Sequence, residues 1–345
     1  MTFGLIGSGS WGTALAKILT DNGHIITWHF RNQSAIDHIK TRHHNQQYLS
    51  SVYFDTSLLS LTLSVEEVVD QSDIIIVSVP SAYVVDTLEN LLPDCLNGKK
   101  IISAVKGILP ANNVLLNDYL NQKFNLQLKH YFAVLGPCHA EEVAAEKLSY
   151  LTFSGIDEVA TKEISKYFST HYLNVVCNND IYGVQFAAVL KNIYAIGAGI
   201  AHGLDYGDNF LSVLIANSAD EMAGFLRKAG IKNVDVGHIA DERRTTVVKH
   251  TNYAASVYLG DLLVTCYSLF SRNRTFGSMI GKGYSVKAAQ IEMSMVAEGF
   301  NASKCMHLIN IKIGAEMPIA EGIYNILWNN IAPQKGFKAI EDTLI

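Results

Sequence analysis

The chain lacks the cysteine spacing of a disulfide framework and of a zinc site. Its five cysteines are scattered along 345 residues, and none forms a CxxC pair. Isolated thiols in odd number fit a reducing compartment. Residues 1–20 also lack the basic head and small-residue cleavage site of a signal peptide. We therefore expect a cytoplasmic protein without a bound metal.

The chain has no excess of basic charge. Its 27 Lys and Arg are outnumbered by 32 Asp and Glu, which gives a net charge of -5. A nucleic-acid-binding surface needs clustered basic charge, so we expect no nucleic-acid partner, although local basic sites for single phosphates are compatible with this balance. The length suffices for two domains, each with its own core.

Long apolar runs are also scarce, and a single one approaches membrane length. Residues 184–201 reach the roughly 18 residues at which a membrane span is considered. Lys191 and Asn192 lie at the centre of this run, where an ionised group is costly in lipid. We therefore predict a buried helix of a soluble domain and no integral membrane segment.

The amino-terminal half contains short, continuously apolar runs separated by segments with helical spacing. Continuous apolar runs are typical of strands buried on both faces of a parallel sheet, and their alternation with helices predicts a doubly wound α/β domain over residues 1–179. The predicted strands are 2–7, 24–28, 73–80, 100–105 and 131–136. The predicted helices between them are 11–22, 64–71 and 82–92.

The first connection carries a glycine motif. Gly7, Gly9 and Gly12 follow the first strand in "GSGSWG" and directly precede a helical segment. In this strand-turn-helix context GxGxxG permits a tight turn, approach of the backbone to a pyrophosphate and close packing of helix on strand. The helix amino terminus adds unpaired N–H groups for phosphates. We predict a Rossmann-type dinucleotide site.

The residues at the end of the second strand indicate whether the cofactor's ribose carries a 2′-hydroxyl, as in NAD, or a 2′-phosphate, as in NADP. An NAD-selective site places Asp or Glu about 20 residues beyond the glycines. Here the stretch reads "TWHFRNQ", with Arg31 and no acid before Asp37. Arg31 can meet a 2′-phosphate, so NADP is tolerated as well as NAD, unless Arg31 is a solvated loop residue.

From about residue 180 the pattern becomes helical, which predicts a second domain over 180–345. The predicted helices are 180–201, 209–229, 257–270, 285–298 and 302–313. A polar stretch at 233–256 separates two of them and is interpreted as either a surface excursion or a lid.

Lys191 is the most informative residue of the first of these helices. Its neighbours on the same helical face are Tyr194 and four alanines, namely 187, 188, 195 and 198. Small neighbours leave space beside the ammonium, so Lys191 can line a cavity and serve as a general base. The alternative is a lysine that reaches the surface from a buried helix.

Motifs along almost the whole chain resemble those of bacterial NAD(P)-dependent glycerol-3-phosphate dehydrogenase. The matching segments, in order, are "GSGSWGTALA", "VPS", "KG", "GP", "GVQFAAVLKNIYAIGAGIAHG", "LGDLLVTC", "SRNRTFG" and "VAEG". The resemblance implies a Rossmann domain followed by an all-helical domain of the 6-phosphogluconate-dehydrogenase type. It also implies a homodimer that interconverts sn-glycerol 3-phosphate and dihydroxyacetone phosphate and feeds phospholipid synthesis.

The resemblance assigns roles to matching positions. Lys191 would be the catalytic base in oxidation and the proton donor in reduction, with Lys106 and Asp261 as further catalytic groups. The implied substrate contacts are Lys106, Gly136, Cys138, Lys191, Asp261, Ser271, Arg272 and Asn273. The implied cofactor contacts are Gly7, Gly9, Ser10, Trp11, Gly12, Arg31, Lys106, Ala140, Arg272, Val296 and Glu298.

Two departures from the family pattern stand out. Cys138 occupies a position where the family has Ser or Thr, and a thiol is the weaker hydrogen-bond donor. The segment before Asp261 is longer than usual and lacks its usual glycines. Adjacent Cys138 and His139 could suggest a nucleophilic pair, but neighbouring residues diverge and no orienting acid is evident.

Two other functions compete with this reading. One is a 3-hydroxy-acid dehydrogenase with the same helical domain. The basic segment "SRNR" argues against it, because it favours a substrate that carries a phosphate. The other is a dinucleotide sensor without turnover, which would need neither Lys191 nor Lys106.

Overall fold

A computed structural model of the chain describes residues 1–231, 254–293 and 296–345, and for 254–256 only the backbone. Within it the chain forms two compact units, Met1–Ile181 and Tyr182–Ile345. The polar stretch predicted at 233–256 lies almost wholly outside the described residues.

The first unit is built on an eight-stranded sheet. Its strands are β1 Phe3–Ile6, β2 Ile26–His29, β3 Leu59–Thr62, β4 Ile74–Val77, β5 Lys100–Ser103, β6 Tyr131–Leu135, β7 Ser149–Ser154 and β8 Leu173–Asn178. They are ordered β3-β2-β1-β4-β5-β6-β7-β8. Every neighbouring pair is parallel except β6 with β7. The order reverses between β1 and β4, which is the topology of a doubly wound sheet and confirms the predicted fold class.

Burial explains which strands the sequence revealed. β1 and β4 lie in the interior of the sheet and are buried at every position, so their sequences are uniformly apolar. Strand β3 at one edge and β8 at the other are mostly half-buried, and neither was predicted. Strand β7 is the antiparallel neighbour of β6 and was also missed.

Seven helices connect the strands among the described residues of this unit. They are α1 Ser10–Asp21, α2 Gln33–Arg42, α3 Val65–Asp70, α4 Val84–Thr87, α5 Leu116–Phe124, α6 Ala140–Ala144 and α7 Glu158–Lys166. The helix predicted over 82–92 is wrong in its second half, because α4 ends at Thr87. Pro93 disfavours helical backbone at the residue before it, and turns occupy the remainder.

The second unit is helical throughout its described part, as predicted. Its α-helices are α8 Ile181–Gly203, α9 Asp208–Lys228, α10 Asp261–Tyr267, α11 Arg272–Gly281, α12 Val286–Glu292, α13 Glu298–Ile313, α14 Pro318–Trp328 and α15 Pro333–Glu341. A π-helical segment, Ala254–Gly260, directly precedes α10. The helix predicted over 285–298 is wrong beyond Glu292, because Met293 and Ala297 have extended backbone between α12 and α13.

Helix α8 is long and apolar because it forms the centre of this unit. In its most apolar 18-residue window, 94% of the residues are buried within the structure. A Cβ added to Gly199 would lie 2.0 Å from the Arg274 carbonyl oxygen, and one added to Gly277 would lie 2.0 Å from the Ile196 carbonyl oxygen. The small residues of α8 therefore allow its backbone to touch that of α11.

Candidate active site

The three glycines of the first connection meet different constraints. Gly7 has a φ of +116°, and a Cβ there would lie 2.5 Å from the Ser78 carbonyl oxygen. A Cβ at Gly12 would lie 2.2 Å from the Gly7 carbonyl oxygen, whereas one at Gly9 would meet nothing within 4 Å. Gly7 thus makes the tight turn, Gly12 allows close packing of α1, and Gly9 faces open space. This division matches the requirements of a bound pyrophosphate.

The amino terminus of α1 offers donors beside these glycines. Gly9 is its N-cap and supplies no side-chain cap, and Ser10 is the buried first residue. The indole Nε1 of Trp11 is buried without a hydrogen-bond partner among the described residues. The ammonium of Lys106 lies 4.9 Å from the centre of the Trp11 ring. The structure therefore brings Lys106, predicted from a distant motif, to the glycine loop.

Several other predicted residues follow the carboxyl ends of parallel strands. Arg31 comes after β2, Lys106 after β5 and Gly136 after β6. These residues therefore lie at the carboxyl ends of the parallel strands, as the glycine loop does. Ala140 is the buried first residue of α6, which follows β6.

The end of β2 carries no acid. Arg31 is exposed, and its side chain forms no hydrogen bond or ion pair within the described residues. The last residue of β2 is His29, and burial lowers its pKa, with nearby Arg31 adding to the effect and Glu66 opposing it. A neutral imidazole beside an unpaired guanidinium is compatible with either a ribose hydroxyl or a 2′-phosphate.

The thiol of Cys138 forms a hydrogen bond inside the first unit. Its Sγ donates to the Tyr150 carbonyl oxygen at 3.0 Å, and the residue is buried. The same carbonyl lies 2.8 Å from where a Cβ of Gly136 would be, and Gly136 has a φ of +140°. The "GPC" turn is therefore closely packed against β7. The predicted substrate contacts of Gly136 and Cys138 stay predictions.

In the second unit, Lys191 of α8 forms an ion pair with Asp261, the first residue of α10. Their side chains are only 3% and 2% exposed. A buried ammonium and carboxylate of this kind require each other, because either one alone would pay a large desolvation cost. Two residues predicted from separate motifs thus come together, although the segment before Asp261 departs from the family pattern.

The neighbouring Cys266 remains a neutral thiol. Complete burial raises its pKa to about 12, against the lowering effect of Lys191 and Arg274. A thiol with so high a pKa is not a nucleophile at neutral pH.

Asn273 links three helices beside this pair. Its Nδ2 donates to Asn192 Oδ1 at 2.9 Å, and its Oδ1 accepts from the Gly299 backbone N–H at 2.9 Å. Both ends of the predicted substrate ligand therefore hold α8 and α13 against α11. Glu298 begins α13, next to Gly299, and Val296 is half-buried just before it. Sequence reasoning noted Asn192 but gave it no function; its place beside Lys191 in an apolar run was the available indication.

Ser271 and Arg272 form the start of α11. Ser271 is the buried N-cap, and its hydroxyl accepts from the Arg274 backbone N–H at 3.3 Å. Arg272 is half-buried, and its guanidinium forms no hydrogen bond or ion pair with another described residue. Arg272 is therefore available for an anion at this helix amino terminus.

Glu221 of α9 was missed by sequence reasoning. It accepts from the Tyr194 hydroxyl at 3.0 Å and from the backbone N–H groups of Ile319 and Ala320 at 2.7 and 2.9 Å. Burial raises its pKa to about 7, although all three hydrogen bonds act in the opposite direction. This carboxyl group joins the start of α14 to α8, one helical turn from Lys191. Glu221 has no distinguishing feature in the sequence, because it is a single acidic residue within a helical segment.

Comparisons with known proteins identify the family of the chain. Family models for the amino- and carboxyl-terminal parts of NAD-dependent glycerol-3-phosphate dehydrogenase match residues 2–160 and 180–338. The glycerol-3-phosphate dehydrogenase [NAD(P)+] of Bacillus subtilis is 33% identical over 341 residues, which cover 99% of this chain and 93% of that protein. Its counterpart in Bacillus cytotoxicus is 33% identical over 326 residues, covering 94% and 90%.

A solved structure supports the same assignment. The crystal structure of glycerol-3-phosphate dehydrogenase from Coxiella burnetii superposes with a TM-score of 0.85 at 25% identity, covering 98% of each chain. The glycine loop, the Lys191–Asp261 pair and the start of α11 thus occur in a chain similar to these enzymes over nearly its whole length. The protein belongs to the NAD-dependent glycerol-3-phosphate dehydrogenase family.

Proposed function

We propose that this chain interconverts sn-glycerol 3-phosphate and dihydroxyacetone phosphate with NADP or NAD, acts in the cytoplasm and supplies the backbone of glycerophospholipids. The observation that carries the proposal is the buried ion pair of Lys191 with Asp261, in a chain that matches the family over both of its parts. The 3-hydroxy-acid dehydrogenase and the non-catalytic sensor are the alternatives that its tests must separate.

The first unit would hold the cofactor. Gly7, Gly9, Ser10 and Gly12 would bind the pyrophosphate, because open space at Gly9 and the amino terminus of α1 suit a phosphate. When bound there, the nicotinamide would supply hydride transfer at C2 of the three-carbon substrate, with NAD(P)+ as the acceptor in oxidation and NAD(P)H as the donor in reduction. The remaining proposed cofactor contacts are Trp11, Arg31, Lys106 and Ala140 in the first unit and Arg272, Val296 and Glu298 in the second.

Lys191 would move the proton that accompanies this hydride. Lys191 forms an ion pair with Asp261, and an ammonium can donate to the oxygen that develops negative charge during ketone reduction. In the oxidative direction the neutral amine would accept the proton of the C2 hydroxyl. Asp261 would keep Lys191 in place, while the Asn192–Asn273 hydrogen bond fixes the neighbouring turn of α8.

Arg272 would bind the substrate phosphate. Its planar guanidinium can contact two phosphate oxygens, and it lies at the amino terminus of α11, where N–H groups also favour an anion. Lys106 would be a second cation for the three-carbon substrate. Gly136, Cys138, Ser271 and Asn273 complete the proposed substrate contacts.

The decisive experiment compares two buried lysines. Lys191→Met should abolish oxidation of NADH and NADPH by dihydroxyacetone phosphate while leaving dinucleotide binding near the wild-type level. Lys17→Met is the matched control, because the Lys17 ammonium is also buried and paired, 2.5 Å from Asp21 and 2.9 Å from Glu146. Folded Lys17→Met should retain turnover. Turnover by Lys191→Met would show that another group transfers the proton.

The same assay separates the alternatives. A 3-hydroxy-acid dehydrogenase would oxidise unphosphorylated 3-hydroxy acids in preference to glycerol 3-phosphate, and a sensor would bind NADPH or NADH without consuming it. We further expect a homodimer, which sedimentation of the purified protein can test.

A further inference from the structure

The glycine loop is held by three side chains that the proposed reaction does not use. Trp28 of β2 donates from Nε1 to the Gly7 carbonyl oxygen at 3.0 Å. Asn45, in the connection between α2 and β3, donates from Nδ2 to the Ser8 carbonyl oxygen at 3.0 Å. Thr13 of α1 donates from Oγ1 to the Gly9 carbonyl oxygen at 2.9 Å. Three consecutive carbonyls of the loop are therefore each bound from the protein side.

These side chains are buried and form a connected network. Trp28, Asn45 and Thr13 are 0%, 3% and 0% exposed. The Nδ2 of Asn45 also donates to Thr13 Oγ1 at 2.9 Å, which leaves the Thr13 hydroxyl proton for Gly9. The Oδ1 of Asn45 accepts from the Gln47 backbone N–H at 3.1 Å, which orients its amide.

The geometry of the peptide bond gives this network a consequence. In a trans peptide the carbonyl of one residue points opposite to the N–H of the next. Fixing the carbonyls of Gly7, Ser8 and Gly9 inward therefore directs the N–H groups of Ser8, Gly9 and Ser10 outward. Among the described residues these three N–H groups donate to no other group. Successive N–H groups arranged in this way form an anion-binding concavity.

We propose that Asn45 and Thr13 are positioning residues for the cofactor, which orient the loop N–H groups toward its pyrophosphate. The inference rests on the proposed cofactor site and extends it to residues outside the glycine motif. Without Asn45, the peptide between Ser8 and Gly9 loses its hydrogen bond and can rotate. The binding of the ligand's phosphates is then weakened, whereas the binding of its adenosine is unchanged.

Binding of two probes to the full chain tests the proposal. ADP-ribose carries the pyrophosphate, and adenosine does not. Asn45→Leu and Thr13→Val should each weaken ADP-ribose binding by about fivefold or more, as expected for loss of a buried hydrogen bond. Adenosine binding should stay at the wild-type level, and Thr13→Ser, which keeps the hydroxyl, should restore ADP-ribose affinity.

Asn117→Leu is the control, since Asn117 is equally buried at 4% exposed and its Nδ2 donates to Asp118 Oδ1 at 2.8 Å. Unchanged ADP-ribose affinity in folded Asn45→Leu would overturn the proposal, as would an equal loss for adenosine, which indicates a merely structural effect. If Asn45→Leu does not fold, the Thr13→Val and Thr13→Ser pair decides. The inference is tested by ADP-ribose binding and the proposed activity by wild-type turnover. The failure of one is therefore distinguishable from the failure of the other.

Discussion

Breaking the Lys191–Asp261 ion pair should destabilise the protein far more than breaking an exposed pair. With side chains 3% and 2% exposed, removal of one partner leaves the other charge buried without compensation. The expected loss in free energy of unfolding is about 3–5 kcal/mol for Asp261→Asn. The double change Lys191→Met with Asp261→Leu removes both charges, so its loss should be well below the sum of the two single changes.

Urea unfolding followed by circular dichroism measures these differences. The exposed pair of Lys338 and Glu341, 2.7 Å apart with side chains 62% and 39% exposed, provides the comparison. Lys338→Met should change the free energy of unfolding far less than Asp261→Asn, because exposed ion pairs are screened by water and contribute little. If Asp261→Asn were as mild as Lys338→Met, or if the effects of the two single changes were simply additive, the two buried charges would not depend on each other.

Three further predictions concern other parts of the chain. Arg272→Ala should raise KM for dihydroxyacetone phosphate by about tenfold or more, since a bidentate charge-assisted contact is lost; an unchanged KM in steady-state kinetics would place the phosphate elsewhere. Gly12→Ala should weaken NADPH binding in a titration, because its Cβ would lie 2.2 Å from the Gly7 carbonyl oxygen, whereas Gly224→Ala, whose Cβ meets nothing within 4 Å, should not. Glu221 has a pKa raised from 4.5 to about 7, so the folded state binds more protons in that window and stability should fall by about 3 kcal/mol as pH rises through it. Glu221→Gln should remove that part of the slope in urea unfolding across pH, and an unaltered slope would contradict the assignment.

The sheet was predictable where burial makes the sequence uniformly apolar. The interior strands β1 and β4 show this pattern, and β1 also carries the glycine motif that identifies the connection to α1. The edge strands β3 and β8 are half-buried and look like loops or helices in sequence. Their pairing depends on partners distant in the chain, which local patterns do not reveal.

The candidate site was predictable to a similar extent. The ammonium of Lys191 in an apolar helix indicated a special environment, and the family motifs supplied Asp261. Glycines of the same helix serve close helix packing, as at Gly199, whereas the predicted space between Lys191 and its alanine neighbours stays a prediction. Asn45 was not recognised, since its function depends on contacts with a loop 37 residues earlier in the chain. Contacts of this range appear only once the fold is known.

The most direct test of the proposed function is the absorbance of NADH and NADPH followed in parallel with dihydroxyacetone phosphate and purified wild-type protein. We predict consumption of at least one of the two cofactors, with one sn-glycerol 3-phosphate formed for each NAD(P)H oxidised and no activity in Lys191→Met. Folded protein that binds NADPH or NADH but oxidises neither in the presence of dihydroxyacetone phosphate would contradict the proposed function.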